Sequence, residues 1–223
     1  MQFTYSEESG NSILTIQDDT YKYLIKARRH KVGDKIYFRN LKDNFIHLYE
    51  LISIDRRSAI FNHISSEEKV LLNNTQLHLG WCVVDPKTVE KYIASLNEMG
   101  VEKITFIYSE FSQKNFTINI EKLEKILINS SSQCGRSNII KIELCDSIEK
   151  FLTENDNVYF LDFSHTNIEN KKDNIKTLVI GCEGGFSENE RKIFDKKNIV
   201  GFNSSLILRS ETAIISASSK ILL

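Results

Sequence analysis

The hydrophobic pattern of this chain changes rhythm near residue 70. Before that point the apolar residues fall in short runs rich in β-branched and aromatic side chains: Phe3–Tyr5, Ser12–Ile16, Lys35–Phe38, Phe45–Leu51 and Ser58–Phe61. Several alternate apolar with polar, the period of a strand that buries one face. Turn-forming clusters separate them, Ser9-Gly10-Asn11, Val32-Gly33-Asp34 and Lys42-Asp43-Asn44. Short strands at this spacing predict a small β-barrel, interrupted by a helical turn or two around Asp19–His30. The polar run Ser65–Lys69 reads as a connection.

After it, strand-like and helix-like segments alternate. Strands are predicted over Gln76–Val84, Val101–Tyr108, Ile139–Leu144, Val158–Phe163, Thr177–Gly181 and Ile199–Phe202. Between them the pattern predicts helices from Pro86 to Gly100 and over Ile120–Ser131, Asp146–Leu152 and Ser187–Lys197, with a last helix over Ser210–Leu222. The ends are marked: Asp85 suits an N-cap with Pro86 at the first helical position, and Gly100 suits the stop. Ser187 and Glu190 have capping-box spacing. Strands alternating with helices predict a parallel α/β sheet. The expected division is residues 1–70 and 71–223, with no internal repeat and no low-complexity segment.

Size and composition agree with this plan. A chain of 223 residues, 41% of them hydrophobic, can bury a core in one large domain or two small ones. No apolar stretch approaches the ~20 residues of a membrane span, and Met1–Tyr5 lacks a basic n-region and an apolar signal core. A cytoplasmic protein is expected. Cys82, Cys134, Cys145 and Cys182 are widely spaced, with no C-x-x-C pair, and the histidines show no metal-ligand spacing, so no metal is expected. The net charge of −1 hides a local bias. Between Tyr21 and Lys42 lie eight basic residues, Lys22, Lys26, Arg28, Arg29, Lys31, Lys35, Arg39 and Lys42, against the single acid Asp34. Such a patch suits a polyanion.

Two segments near the C-terminus carry candidate chemistry. In Gly181-Cys182-Glu183-Gly184-Gly185 the glycines let the backbone approach a ligand and take positive φ. The loop follows a parallel strand, at the edge where open α/β sheets bind ligands. It fits neither a triphosphate loop nor a dinucleotide fingerprint, and a tight strand-to-helix turn without a ligand accounts for it equally well. In Leu208-Arg209-Ser210-Glu211-Thr212-Ala213, Arg209 and Glu211 flank a helix start with unpaired N–H groups. Arg209 could steady negative charge developing on a base oxygen; the plainer alternative is a Glu211 favoured by the helix dipole and paired with Arg209. Arg136, in Gln133-Cys134-Gly135-Arg136, reads by itself as a helix-end charge.

These motifs, taken in order, resemble the ribosomal RNA small subunit methyltransferase E family, of the SPOUT class. That family's I-G-P-E-G-G-(F/L)-S loop is matched by Ile180–Ser187 and its L-R-T-E-T-A turn by Leu208–Ala213. Gln133–Arg136 resembles its Q-x-G-R helix end, Glu98-Met99-Gly100-Val101 its E-L-G-V, and Lys26–Asp34 its basic run before Gly-Asp. The match spans nearly the whole chain. Cys182 replaces the loop proline, which should loosen the turn; Leu206 and Phe111 stand where the family often has arginine.

The resemblance implies a PUA-like β-barrel that binds RNA over residues 1–70 and a trefoil-knotted SPOUT α/β domain over 71–223. Composition alone could not suggest a knot, since knots are very rare. It further implies S-adenosylmethionine as cofactor, a homodimer whose active site draws on both subunits, and methylation of uridine N3 in 16S rRNA of the small ribosomal subunit. The cofactor would lie against Leu161, Asp162, Ile180, Gly181, Glu183, Gly184, Gly185, Leu206, Ile207, Leu208, Thr212 and Ala213. Arg209 and Glu211 are the expected catalytic residues, with Glu183, Glu211 and Asp162 unranked as proton acceptor or cofactor ligand. Lys26, Arg28, Arg29, Lys31 and Arg136 would hold RNA. A SPOUT enzyme acting on another rRNA or tRNA nucleotide, or a non-catalytic RNA-binding assembly factor, fits the same residues.

Overall fold

In the computed structural model, which describes residues 2–223, the chain divides into two units. One holds the residues up to Leu72 together with Ser131–Asn138; the other holds Asn73–Ser130 and Ile139–Leu223.

The first unit is a five-stranded sheet in the order β1-β3-β4-β5-β2. Its strands are β1 (Thr4–Tyr5), β2 (Ile13–Ile16), β3 (Lys35–Arg39), β4 (Phe45–Ile54) and β5 (Ala59–Glu68). β1 runs parallel to β3 and the other pairs are antiparallel, so the sheet is a mixed, open half-barrel. The alternating pattern delivers Leu14, Ile16, Ile36, Phe38, Tyr49, Leu51 and Phe61 to one core. There Phe38 meets Tyr49 and Phe61 edge-on, with ring centres 5.4 and 5.2 Å apart, a favoured aromatic geometry. The run Ser65–Glu68, expected as a connection, instead continues β5 and pairs with Phe45–Leu48. Backbone groups make the ladder, so a strand segment with solvated side chains carries no hydrophobic signature. The helical interruption is α1 (Asp18–Tyr21) followed by a π-helical turn, Lys22–Ala27. Tyr21 and Leu24 are buried and hold it down.

The second unit is a six-stranded sheet, all parallel, in the order β11-β9-β10-β6-β7-β8. The strands are β6 (His78–Cys82), β7 (Lys103–Ile107), β8 (Lys141–Cys145), β9 (Tyr159–Leu161), β10 (Thr177–Ile180) and β11 (Ile199–Val200). The helices are α2 (Pro86–Met99), α3 (Ile120–Cys134, whose last residues belong to the first unit), α4 (Ile148–Glu154), α5 (Glu188–Lys192) and α6 (Ser210–Leu222). Asp85 caps α2, accepting from Lys87 N, and Gly100 closes it at φ 93°. The Ser187–Glu190 capping box is formed.

α5 is shorter than the predicted Ser187–Lys197. Phe194 leaves the helix to stack on Phe160 at 3.6 Å between ring centres, and Asp195 then caps a separate 3-10 turn, Lys196–Asn198. Core packing of one aromatic overrides helix propensity here. Beyond β11 the chain lies against the segment that leaves β9. Asp162 N donates to Val200 O, Gly201 N to Thr166 O and Ile168 N to Gly201 O, at 3.0, 2.9 and 2.9 Å. A Cβ on Gly201 would stand 2.9 Å from the carbonyl oxygens of both Asp162 and Ser164. Glycine is required because two backbones touch.

Candidate functional site

β9 and β10 are parallel neighbours with Leu161 paired to Ile180, so the segments leaving them emerge at one sheet edge. The segment before α6 returns to the same edge. Together they enclose a cavity of 590 Å³. Leu161, Asp162, Ile180, Gly181, Glu183, Gly184, Gly185, Leu206, Ile207, Leu208 and Ala213 all line it, gathered from well-separated parts of the sequence. Thr212 does not line it and is exposed. Arg209 and Glu211 flank the lining residues Leu208, Ser210 and Ala213 without lining the cavity themselves.

The glycine loop is a tight turn even without proline. Gly185 N donates to Cys182 O at 2.9 Å, and Gly185 has φ 70°. A Cβ on Gly181 would lie 3.0 Å from Gly185 Cα, a backbone atom that cannot swing away. The Cys182 side chain is buried, its sulfur 4.0 Å from Ser109 Oγ and 3.7 Å from Gly185 O. Beneath the loop, Glu190 is buried with both carboxylate oxygens used: Oε1 accepts from Glu110 N and Oε2 from Ser187 N, each at 2.8 Å. Burial pushes the neighbouring Cys82 thiol up, so it stays protonated and inert.

Ser210 joins three elements. Its hydroxyl donates to Gly181 O at 2.6 Å and accepts from Trp81 Nε1 at 2.9 Å, so β6, the glycine loop and the start of α6 share one atom. Arg209 is the N-cap of α6, its carbonyl accepting from Ala213 N at 2.8 Å. Its guanidinium is exposed, and among the described residues no ion pair joins it to Glu211. On the opposite wall Asp162 is held by Arg191, Oδ2 to Nε at 2.7 Å and Oδ1 to Nη2 at 3.2 Å. That bidentate bond keeps the Arg191 guanidinium above its ordinary value.

Sequence reasoning passed over Ser210 and Arg191, both of which line the cavity. Ser210 was visible as the small polar residue opening α6 inside the second motif. Arg191 had no signal except a cation on the helix after the glycine loop, with Asp162 far upstream.

In the first unit Lys26, Arg28, Arg29 and Lys31 are all exposed. The other basic residues of that stretch thin out. Arg39 is interior, donating to the carbonyls of Phe45 and Lys69, while Lys22 pairs with Asp19 and Lys42 with Glu7. Arg136 is also buried, its Nε donating to Asn138 Oδ1 at 2.7 Å. A buried arginine offers little surface to an RNA.

Comparison with known proteins agrees with this geometry. An RNA methyltransferase domain family matches residues 72–222, and an RNA methyltransferase PUA domain family matches residues 16–62. A ribosomal RNA small subunit methyltransferase E from Helicobacter pylori is 34% identical over 98% of this chain and 98% of its own. A crystal structure of a probable rRNA-methyltransferase from Porphyromonas gingivalis superposes with a TM-score of 0.81 at 18% identity, covering 100% of this chain and 98% of that one. The ribosomal RNA small subunit methyltransferase E of Neisseria gonorrhoeae, solved bound to S-adenosyl methionine, superposes with a TM-score of 0.75 at 15% identity, over 98% and 95% of the two chains. These likenesses establish the fold: a PUA-like N-terminal unit and a C-terminal α/β unit built on a parallel sheet. With the glycine loop, the arginine turn and the full-length identity on one chain, this protein belongs to the ribosomal RNA small subunit methyltransferase E family.

Proposed function

We propose that this protein methylates N3 of a uridine in small-subunit ribosomal RNA, using S-adenosylmethionine. Family membership supports the reaction class, and the cavity at the glycine loop is the observation that carries the cofactor. Its 590 Å³ lies within the roughly 300–1,000 Å³ usual for ligand and cofactor sites. The apolar Leu161, Leu206, Ile207 and Leu208 suit an adenine, and the close backbone of Gly181–Gly185 suits ribose and amino-acid polar groups. When bound, S-adenosylmethionine supplies an activated methyl group.

The chain's own residues do the rest. The uracil N3 must lose its proton to become nucleophilic, leaving negative charge shared with the flanking oxygens. Arg209, exposed, without an ion pair among the described residues and next to the cavity, suits the stabilisation of that anion. Of the three candidate carboxylates, Asp162 is committed to Arg191 and serves as a fixed wall; Glu183 lines the cavity and is exposed, and Glu211 does not line it. Glu183 is therefore the better-placed proton acceptor. Holding N3 in line with the methyl group is the larger share of the work. Lys26, Arg28, Arg29 and Lys31 would hold phosphates and set register. Phe163, Leu206 and Ile207, at 78, 76 and 80% exposure on the cavity rim, suit cover by a second copy in a homodimer.

The test is calorimetry with S-adenosylmethionine, followed by nucleoside analysis of 16S rRNA from a strain lacking this protein. We expect heat of binding and loss of one N3-methyluridine. RNA binding with no cofactor heat would leave only the assembly-factor reading, and unchanged N3-methyluridine would move the target to another nucleotide. A light-scattering mass of one chain would refute the dimer.

A further inference from the structure

The segment Tyr23–Arg29 has features that charge alone does not explain. Tyr23 is 48% exposed. Arg28 lies against it, Nε donating to Tyr23 Oη at 3.0 Å and the guanidinium carbon 5.3 Å from the ring centre. The backbone between them is unusual. Lys22–Ala27 is π-helical, Arg28 N bonds back to Tyr23 O at 2.9 Å, and the next residue, Arg29, has φ 60° without being glycine. In an α-helix, residues five apart point about 140° away from each other. The π turn brings them onto one face. Such turns and strained residues concentrate at functional positions. The core does not need Tyr23, since Tyr21 and Leu24 are the buried anchors of this turn and Tyr21 Oη also donates to Asp55 O at 2.7 Å.

We infer that Tyr23 and Arg28 form a stacking platform for one unpaired RNA nucleobase, so that the N-terminal unit engages a looped or single-stranded element rather than continuous duplex. The inference rests on the RNA reading above. A flat aromatic ring beside a guanidinium plane is the surface on which splayed bases stack, whatever their identity. A duplex keeps its base faces covered and offers only phosphates. Lys26, Arg29 and Lys31, exposed within and just after this segment, suit the phosphates that flank such a base.

The test uses the full chain and two RNAs of equal length, a hairpin with an unpaired loop carrying 2-aminopurine and a continuous duplex. Wild type should bind the hairpin more tightly and quench its fluorescence. Tyr23→Ala should weaken hairpin binding about tenfold, leave duplex binding and the salt slope unchanged, and abolish the quenching. Tyr23→Trp should retain the preference. Arg28→Ala should lower the salt slope by about one. If Tyr23→Ala binds the hairpin as wild type does, or loses affinity equally for both RNAs, the platform is refuted while the RNA reading stands. If wild type binds neither RNA, the RNA reading itself fails.

Discussion

Replacing Gly201 by alanine tests the backbone crossing that shapes the cavity. The added methyl carbon would sit 2.9 Å from Asp162 O, 2.9 Å from Ser164 O and 3.0 Å from Ser164 N. All three are backbone atoms, so no side-chain rotation relieves them. The strand end must move outward and strain the bonds from Gly201 N to Thr166 O and from Ile168 N to Gly201 O. Overpacking of this kind costs about 1–3 kcal/mol, and weakening one buried hydrogen bond adds about 1 kcal/mol. A loss of about 2–4 kcal/mol is a large share of a typical stability of about 5–15 kcal/mol. Trp81 is the chain's single tryptophan, buried in the same unit, so its fluorescence reports that unit's unfolding. With a slope of about 2 kcal/mol per molar urea, the midpoint should fall by about 1–2 M. S-adenosylmethionine affinity should fall with it, because Asp162 and Ser164 line the cavity. Gly33→Ala is the control: Gly33 has φ 94° with open space around it and lies in the other unit. It should cost about 1–2 kcal/mol of backbone strain and leave the Trp81 transition in place. A Gly201→Ala midpoint within about 0.3 M of wild type would show that the crossing is not tightly packed.

Four further outcomes are expected. Arg209→Ala should abolish methyl transfer while leaving the Trp81 unfolding midpoint unchanged, because its side chain is exposed; wild-type turnover would remove it from the chemistry. Ser210→Ala strands the buried Trp81 N–H and should cost about 1–3 kcal/mol together with cofactor affinity; an unchanged melting curve and binding isotherm would contradict the shared-atom role. Burial, with Lys103 second, holds the His78 imidazole down at about 4, so the unfolded chain binds the extra proton between about pH 6.5 and 4. Stability from this group is complete above about pH 6.5 and lost as pH falls through that window, by at most about 3 kcal/mol and less where water reaches the ring; a His78→Gln variant with the same acid sensitivity as wild type would refute it. Substituting Lys26, Arg28 and Arg29 together should weaken RNA binding and lower its salt slope by about three, and an unaltered slope would clear them of phosphate contact.

Periodicity and turn chemistry made much of the architecture legible. Asp85, Pro86 and Gly100 set the ends of α2, and the Ser187–Glu190 box opened α5, because these signals act over a few residues and need no partner. The end of α5 was not legible. It depends on Phe194 finding Phe160, and no local propensity carries that information. Ser65–Glu68 was likewise missed as strand, since its support is the backbone of Phe45–Leu48.

The candidate site divides in the same way. Its loop and turn were readable because glycines at a strand end and a polar helix start have chemical meaning in one dimension, and because their order resembles a known family. The Asp162–Arg191 clamp, the hydroxyl shared by Trp81, Ser210 and Gly181, and the burial of Arg39 and Arg136 were settled only by tertiary structure. Each depends on which distant atoms meet across the sheet edge or within the core. Sequence alone determined the local backbone grammar and the kind of chemistry available. Folding decided which charges stay in water and which become part of the walls, because that choice is made by contacts between residues far apart in the chain.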